Sequence, residues 1–257
     1  MTERPRTTIV IPCYNEAERL REAEVRALAA DPRVSVLLVD DGSTDGTQDL
    51  LRRLAAGSGD RVQWMAMAQN GGKAEAVRHG MLRALAGGAE VTGYLDADFA
   101  TPASEMLRLL DALMRAGAQV AMGARIARLG ADIQRSPGRH YLGRVFATAA
   151  SMVLGLRVYD TQCGAKLFRA GEPLRQALST PFSSRWIFDV ELLGRLVNGA
   201  EGASLTAADF LEVPLATWHD VAGSKLRPGG MASAGVELLR LGRRALRDRR
   251  SAFRGPD

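Results

Sequence analysis

The chain has 257 residues, 46% of them hydrophobic and 25% charged, ordinary figures for a soluble globular protein with a sizeable core. Its net charge of +5 is concentrated at the end: Arg240, Arg243, Arg244, Arg247, Arg249, Arg250 and Arg254 stand against Asp248 and Asp257. With no aromatic stacking platform and no helix-turn-helix pattern, nucleic acid is not expected as a partner. The longest uncharged apolar stretch, Val145 to Leu156, is too short to span a bilayer, and no signal peptide fits the N-terminus. Cys13 and Cys163 lack metal or redox spacing, so two reduced thiols in a cytoplasmic protein are expected.

In chain order, strand-like runs at 7–12, 34–40, 62–67, 91–95 and 118–123 alternate with helical patterns near 16–30, 45–56, 73–86 and 103–116. This alternation predicts an α/β fold, a mainly parallel doubly wound sheet flanked by helices. Asp45 begins a helix after the Gly42-Ser43-Thr44 turn, and Pro102 suits the first turn of another. The second half is less regular. It reads as a helix over 139–157 that is apolar nearly all round, a helix over 186–197, a strand over 209–217 and a basic amphipathic helix over 231–250. A helix such as 139–157 must be buried or dipped in lipid. One domain is expected, with two halves at 5–126 and 127–229 and a basic tail at 230–257.

Two acidic pairs follow strand-like runs: Asp40-Asp41 after Val36-Leu37-Leu38-Val39, and Asp96-Ala97-Asp98 after Val91-Thr92-Gly93-Tyr94-Leu95. Ligands bind at the carboxyl ends of strands in an open parallel sheet, so both pairs are expected on one lip. Two carboxylates one residue apart suit a hard divalent cation that also holds a phosphate, Mg²⁺ or Mn²⁺. Lys73, after Gly71-Gly72 at a helix N-terminus, is placed for an anion. No Gly-x-Gly-x-x-Gly follows the first strand, which argues against a dinucleotide-binding dehydrogenase.

Taken with Ile9-Val10-Ile11-Pro12-Cys13-Tyr14-Asn15-Glu16, these segments resemble the nucleotide-sugar half of family two glycosyltransferases, which have the GT-A fold. Further on, Tyr159 to Phe168 (Tyr-Asp-Thr-Gln-Cys-Gly-Ala-Lys-Leu-Phe), Arg185 to Leu192 and Trp218 to Leu226 resemble dolichyl-phosphate β-glucosyltransferases and their prokaryotic relatives. The similarity runs from about residue 7 to about residue 245.

The resemblance implies an inverting hexosyltransferase that uses a nucleotide sugar, UDP-glucose first, and a polyprenyl-phosphate acceptor at the cytoplasmic membrane face. Asp40 or Asp41 would accept the N3–H of the base, with the ring near Pro12, Tyr14 and Glu16. Asp98, with Asp96, would hold the metal, Ala97 lying between them, and His219 would complete its shell. Ser224 and Lys225 would grip the diphosphate. Arg125 is the first choice to hold the acceptor phosphate, with Arg135 or Arg139 beside it and helix 139–157 as a greasy path. Asp189, with Glu191 nearby, stands where the family places a general base; a phosphate acceptor, largely dianionic already, would need it mainly for orientation. Dolichyl-phosphate mannose synthases carry a metal-binding Gln where this chain has Ala100, which points to the glucosyl branch. The alternatives are a soluble or glycolipid hydroxyl acceptor, or a non-catalytic nucleotide-sugar or membrane-binding module. The basic tail is expected to meet an anionic leaflet, making the protein peripheral.

Overall fold

The computed structural model describes residues 7–134, 137–184, 187–199, 203–221 and 237–238, with the side chains of 137–142 excepted. Strand β1 (Thr7–Cys13) pairs in parallel with β2 (Val34–Asp40) along its whole length, from Thr7 opposite Val34 to Cys13 opposite Asp40. Strand β3 (Val62–Ala66) lies outside β2, and β4 (Val91–Leu95) lies on the other side of β1, both parallel to their neighbours. The chain thus steps outward from β1 to β3 and returns to β4, which puts the reversal of strand order between β1 and β4. That is where an open α/β sheet leaves a crevice for ligands.

The residues of β1 show why helices cover both faces. Ile9, Ile11 and Cys13 point to one side and Val10 to the other, all fully buried. The first set packs against α1 (Glu22–Ala30), α2 (Thr47–Ala56) and α4 (Ala103–Ala116) through Val25, Leu28, Leu51, Leu54, Met106 and Leu109. Val10 meets α3 (Lys73–Ala86), beside Val77 and Met81. Burying each such aliphatic side chain contributes about 1.5–3 kcal/mol. The expected helix near 16–30 divides: residues 16–20 make one turn closed by the Leu20 amide on the Glu16 carbonyl, and α1 proper starts at Glu22. Helix α4 follows Pro102 as expected and ends at Gly117, which takes the left-handed conformation (φ 66°) common after a helix.

Beyond β4 the sheet runs β7–β5–β8, with β5 at Val120–Ala124, β7 at Ala165–Arg169 and β8 at Phe210–Pro214. Strand β7 lies antiparallel to both β4 and β5, so the sheet is mixed rather than wholly parallel. The strand expected at 209–217 breaks after Pro214. Its remainder, β9 (Thr217–His219), pairs in parallel with β6 (Asp132–Gln134) as a separate two-stranded ribbon. Helices α5 (Pro137–Leu154), α6 (Glu172–Leu178) and α7 (Phe188–Val197) cover the second half on the α3 side through Ala150, Leu154, Leu174, Leu178, Leu192 and Leu193.

Helix α5 is neither buried all round nor long and apolar enough to cross a membrane, and no helix among the described residues is. Ala147, Ala150 and Leu154 face the core, whereas Val145 and Met152 are 68% and 80% exposed. The expected tail helix lies outside the described residues except for Glu237 and Leu238. Leu238 is buried in the α3-side core, and Glu237 accepts a hydrogen bond from the Ser184 hydroxyl.

Candidate active site

The loops after β1, β2 and β4 converge on the crevice at the strand reversal. After β1, Pro12 is buried, Tyr14 is 37% exposed at the lip, and Asn15 takes a positive φ of 52°. That turn is held by the Thr44 amide on Asn15 Oδ1 (2.9 Å) and the Asn15 amide on Ser43 Oγ (3.0 Å). Glu16 is buried beside Arg19, and its amide donates to Thr47 Oγ1 at 2.8 Å.

Asp40 and Asp41 shape the neighbouring loops. Asp40, fully buried, accepts from Gln48 Nε2 at 2.8 Å and from the Ser43 amide at 3.3 Å. The two Asp41 oxygens take the Gly71 and Gly72 amides at 2.7 and 2.8 Å. This fixes the loop that leads into α3, where Gly72 has a φ of 85° that glycine alone adopts without strain.

Lys73, the first residue of α3, reaches Asp96 across the crevice, Nζ to Oδ1 2.6 Å. Asp96 is half-buried at the end of β4, its amide on the Gly164 carbonyl, while Ala97 is buried behind it. Asp98 accepts the Ala100 amide at 3.0 Å, around a turn in which buried Phe99 takes a φ of 48°. For a bulky residue that conformation is strained, and strain of this kind clusters at functional sites. Burial and the neighbouring Asp96 raise the Asp98 carboxyl above the usual carboxylate range, against the Ala100 amide, Lys73 and Arg19. Crowding lowers the Lys73 ammonium, but Asp96, Asp189 and Asp98 more than offset it and hold it above the ordinary lysine value.

Gly164, just before β7, is the wall behind Asp96. A Cβ built there would lie 2.2 Å from the Asp96 Cγ and Oδ2, so any side chain would push the carboxylate out of place.

On the α7 side, Asp189 is buried and its Oδ1 is held by two donors. Lys166 Nζ lies at 2.6 Å and the Tyr94 hydroxyl makes a second hydrogen bond. Tyr94 and Lys166 are register partners on β4 and β7, so their side chains share the face that meets the start of α7. Lys166 is fully buried and also donates to the Cys163 carbonyl at 2.6 Å. Burial, then Asp189, raise the Tyr94 hydroxyl well above its ordinary value, so it stays a donor. Glu191, two residues on and so on another side of the helix, is committed elsewhere: it accepts the Ser183 and Ser184 amides and pairs with Arg195 at 2.8 Å.

Arg125, at the end of β5, lies in a two-pronged pair with Asp160, Nε to Oδ2 2.6 Å and one terminal nitrogen to Oδ1 2.8 Å. Asp160 in turn sits on a loop whose Tyr159 and Asp160 amides bind Glu212 at 2.8 and 2.7 Å. His219 donates its main-chain amide to the Ala100 carbonyl at 3.0 Å, while its ring pairs with Asp132 at 2.6 Å on the β6–β9 ribbon. Ser224, Lys225 and Arg135 lie outside the described residues, as does the side chain of Arg139.

The structure therefore brings Lys73, Asp96 and Asp98 together and places Asp189 within electrostatic reach of Lys73. Among the described residues no three His, Cys, Asp or Glu side chains cluster to hold a cation. A divalent ion bound with a nucleotide needs only one or two carboxylates, with phosphate and water completing its shell. Asp96 and Asp98, two adjacent carboxylates in excess of positive charge, fit that need. Sequence reasoning did not single out Tyr94, Gly164 or Lys166 as site residues. Lys166, between Ala165 and the apolar Leu167-Phe168, was the available signal, since a lysine within an apolar strand requires an anion.

Residues 8–171 match the family described as Glycosyl transferase family 2, and the chain belongs to it; it is a glycosyltransferase of GT-A fold. It is 33% identical over 252 residues to the polyprenol monophosphomannose synthase of Mycolicibacterium smegmatis, covering 96% of this chain and 92% of that protein. It is 30% identical over 245 residues to the dolichyl-phosphate beta-glucosyltransferase of Saccharomyces cerevisiae, covering 85% of this chain and 68% of that one. Among solved structures it resembles the glucosyl-3-phosphoglycerate synthase of Mycobacterium tuberculosis in complex with UDP, with a TM-score of 0.63 and 18% identity over 93% of this chain and 79% of the other.

Proposed function

We propose that the protein transfers a hexose from a nucleoside-diphosphate sugar to a polyprenyl phosphate, with inversion, using a divalent cation. The donor's diphosphate lies against Asp96, Asp98 and Lys73; the base lies beside Tyr14 and Glu16, above Asp40 and Asp41. A cation on Asp96 and Asp98 would neutralise the charge that develops on the departing nucleoside diphosphate. Asp189, held on one oxygen by Lys166 and Tyr94, orients the acceptor phosphate for in-line attack on the anomeric carbon. Ser224 and Lys225 would grip the diphosphate, and His219, whose ring pairs with Asp132, would reach the cation only by leaving that partner. Arg125 helps to hold the acceptor through its place beside Asp160.

The observation that carries the acceptor assignment is the 33% identity over nearly the full length of a polyprenol monophosphomannose synthase, supported by relatives named for dolichyl and undecaprenyl phosphates. For the donor we favour UDP-glucose, because Ala100 stands where the mannosyl enzymes place a metal-binding glutamine. A mannosyl donor is the second reading, favoured by the same M. smegmatis relative. The exposed Val145 and Met152 on α5 support attachment to a membrane surface. The test offers labelled nucleotide sugars with a short polyprenyl phosphate and Mn²⁺ or Mg²⁺. Transfer to the lipid with inverted configuration is expected. Transfer to water-soluble hydroxyl acceptors alone, or retention of configuration, overturns the proposal.

A further inference from the structure

Lys73 stands in an unusual place for a cation. It is the first residue of α3, at the end of the helix where the backbone dipole is positive and disfavours an ammonium. Three carboxylates, Asp96, Asp189 and Asp98, offset that repulsion. Asp96 Oδ1 is shielded from water and receives no hydrogen bond from any other described group, so the Lys73 ammonium 2.6 Å away is its compensation. A helix start of this kind usually offers its own amides to an anion. Here the loop just ahead of the helix holds the Asp41 carboxylate through the Gly71 and Gly72 amides, and the lysine side chain is the positive group that reaches the Asp96 carboxylate. Lys73 is 40% exposed, and the Phe188 ring lies 5.7 Å from its Nζ. It can leave Asp96 without opening the core.

We propose that Lys73 is an internal counter-cation of the Asp96–Asp98 pair, occupying the place of the divalent ion until the donor arrives, and then passing to the donor's phosphates. This rests on the reading of the crevice as a nucleoside-diphosphate site. The ammonium and a divalent ion compete for the same carboxylate charge, so the ion alone binds weakly. The diphosphate draws the lysine away and supplies further oxygen ligands, so nucleotide and ion bind together. The lysine thus guards the pair against adventitious ions and makes cation loading conditional on the nucleotide.

The test measures Mn²⁺ affinity by the paramagnetic resonance of free Mn²⁺, without nucleotide, for the full chain and for Lys73→Met and Lys73→Arg. UDP affinity is then measured by calorimetry in saturating Mn²⁺. Lys73→Met is expected to bind Mn²⁺ alone about fivefold more tightly, the factor that a partly exposed ion pair represents. The same variant is expected to bind UDP more weakly, while Lys73→Arg stays near wild type for Mn²⁺. Asp98→Asn, carried alongside in both backgrounds, is expected to lose the Mn²⁺ signal and so tie the ion to this pair. Unchanged or weaker Mn²⁺ binding in Lys73→Met overturns the proposal, as does the absence of Mn²⁺ binding in every variant. The titration uses neither sugar nor acceptor, so a failed hexose-transfer assay strikes the proposed function and leaves this result standing.

Discussion

Lys166 and Asp189 meet at 2.6 Å in a place closed to solvent, and the Tyr94 hydroxyl completes the contact on the same oxygen. Removing one partner of such a pair strands a buried charge, which is far more damaging than replacing both. Lys166→Met is therefore expected to lower stability by about 3–5 kcal/mol, and Lys166→Met with Asp189→Leu to recover most of it. Urea unfolding checks this; equal losses in the single and double variants would contradict it. Tyr94→Phe is expected to cost about 1.5–3 kcal/mol, as for a hydrogen bond to a charged group.

The Arg125–Asp160 pair makes a prediction about acid. Burial pushes the Asp160 carboxyl up, but Arg125 outweighs burial and holds it well below the usual carboxylate range. A group whose folded value is depressed contributes stability that is fully present above its unfolded value, about pH 4, and is lost as pH falls through the folded value. The difference in melting temperature between wild type and Asp160→Asn should thus be largest near neutrality and shrink below about pH 4. A difference that stays constant down to the acid limit would sink this account.

Gly164→Ala tests the wall behind Asp96. The added methyl has no room beside the carboxylate, 2.2 Å away, so Asp96 must turn. A displacement of about 1 Å at a reacting centre can cost about a hundredfold in rate, and a loss of that order in kcat/KM is expected. Weakened Mn²⁺-dependent UDP binding should accompany it. Wild-type kinetics in Gly164→Ala would show that Asp96 does not need its present position.

Chelation provides a simple check on the cation. Hexose transfer should vanish in excess EDTA and return on adding Mn²⁺ or Mg²⁺ beyond the chelator. Asp98→Asn should lower kcat/KM by about a hundredfold or more, a loss of several kcal/mol of charge stabilisation. Full activity after chelation would remove the cation from the mechanism.

Helix α5 predicts a separable membrane effect. Val145 and Met152 lie seven residues apart on its exposed side, so Val145→Glu with Met152→Glu should weaken co-sedimentation with anionic liposomes. Substitutions so exposed should change unfolding free energy by no more than about 0.5 kcal/mol each. Unchanged liposome binding would show that this face is not the membrane contact.

Much of the first half was legible because its signals are local. The runs before Asp40 and Asp96 are apolar and β-branched, and each ends in the turn chemistry that places a carboxylate at a strand end. The second half hides its organisation in long-range pairs. Arg125 finds Asp160 across 35 residues and His219 finds Asp132 across 87. Strand β7 was missed because Lys166 interrupts the apolar pattern that would have announced it. That residue is tolerated there only because Asp189, on a helix not yet formed when the pattern is read, neutralises it. The strand expected over 209–217 divides because the chain leaves β5 at Pro214 to build a ribbon with Asp132–Gln134.

The reversed direction of β7 separates two parts of the chain that can change independently. Its first residue, Ala165, rather than its last, stands beside the end of β4, so the whole excursion from Arg125 to Gly164 leaves the sheet at the crevice and returns to it there. Exposed positions within that excursion, Leu129, Val145 and Met152 among them, can change without disturbing the register of β1, β2, β3 and β4, whereas Gly164 at its end is fixed by Asp96. The fold is thus a fixed press with an exchangeable die. In the proposed function, a change of acceptor would fall in the excursion and leave the Asp96–Asp98 turn in place.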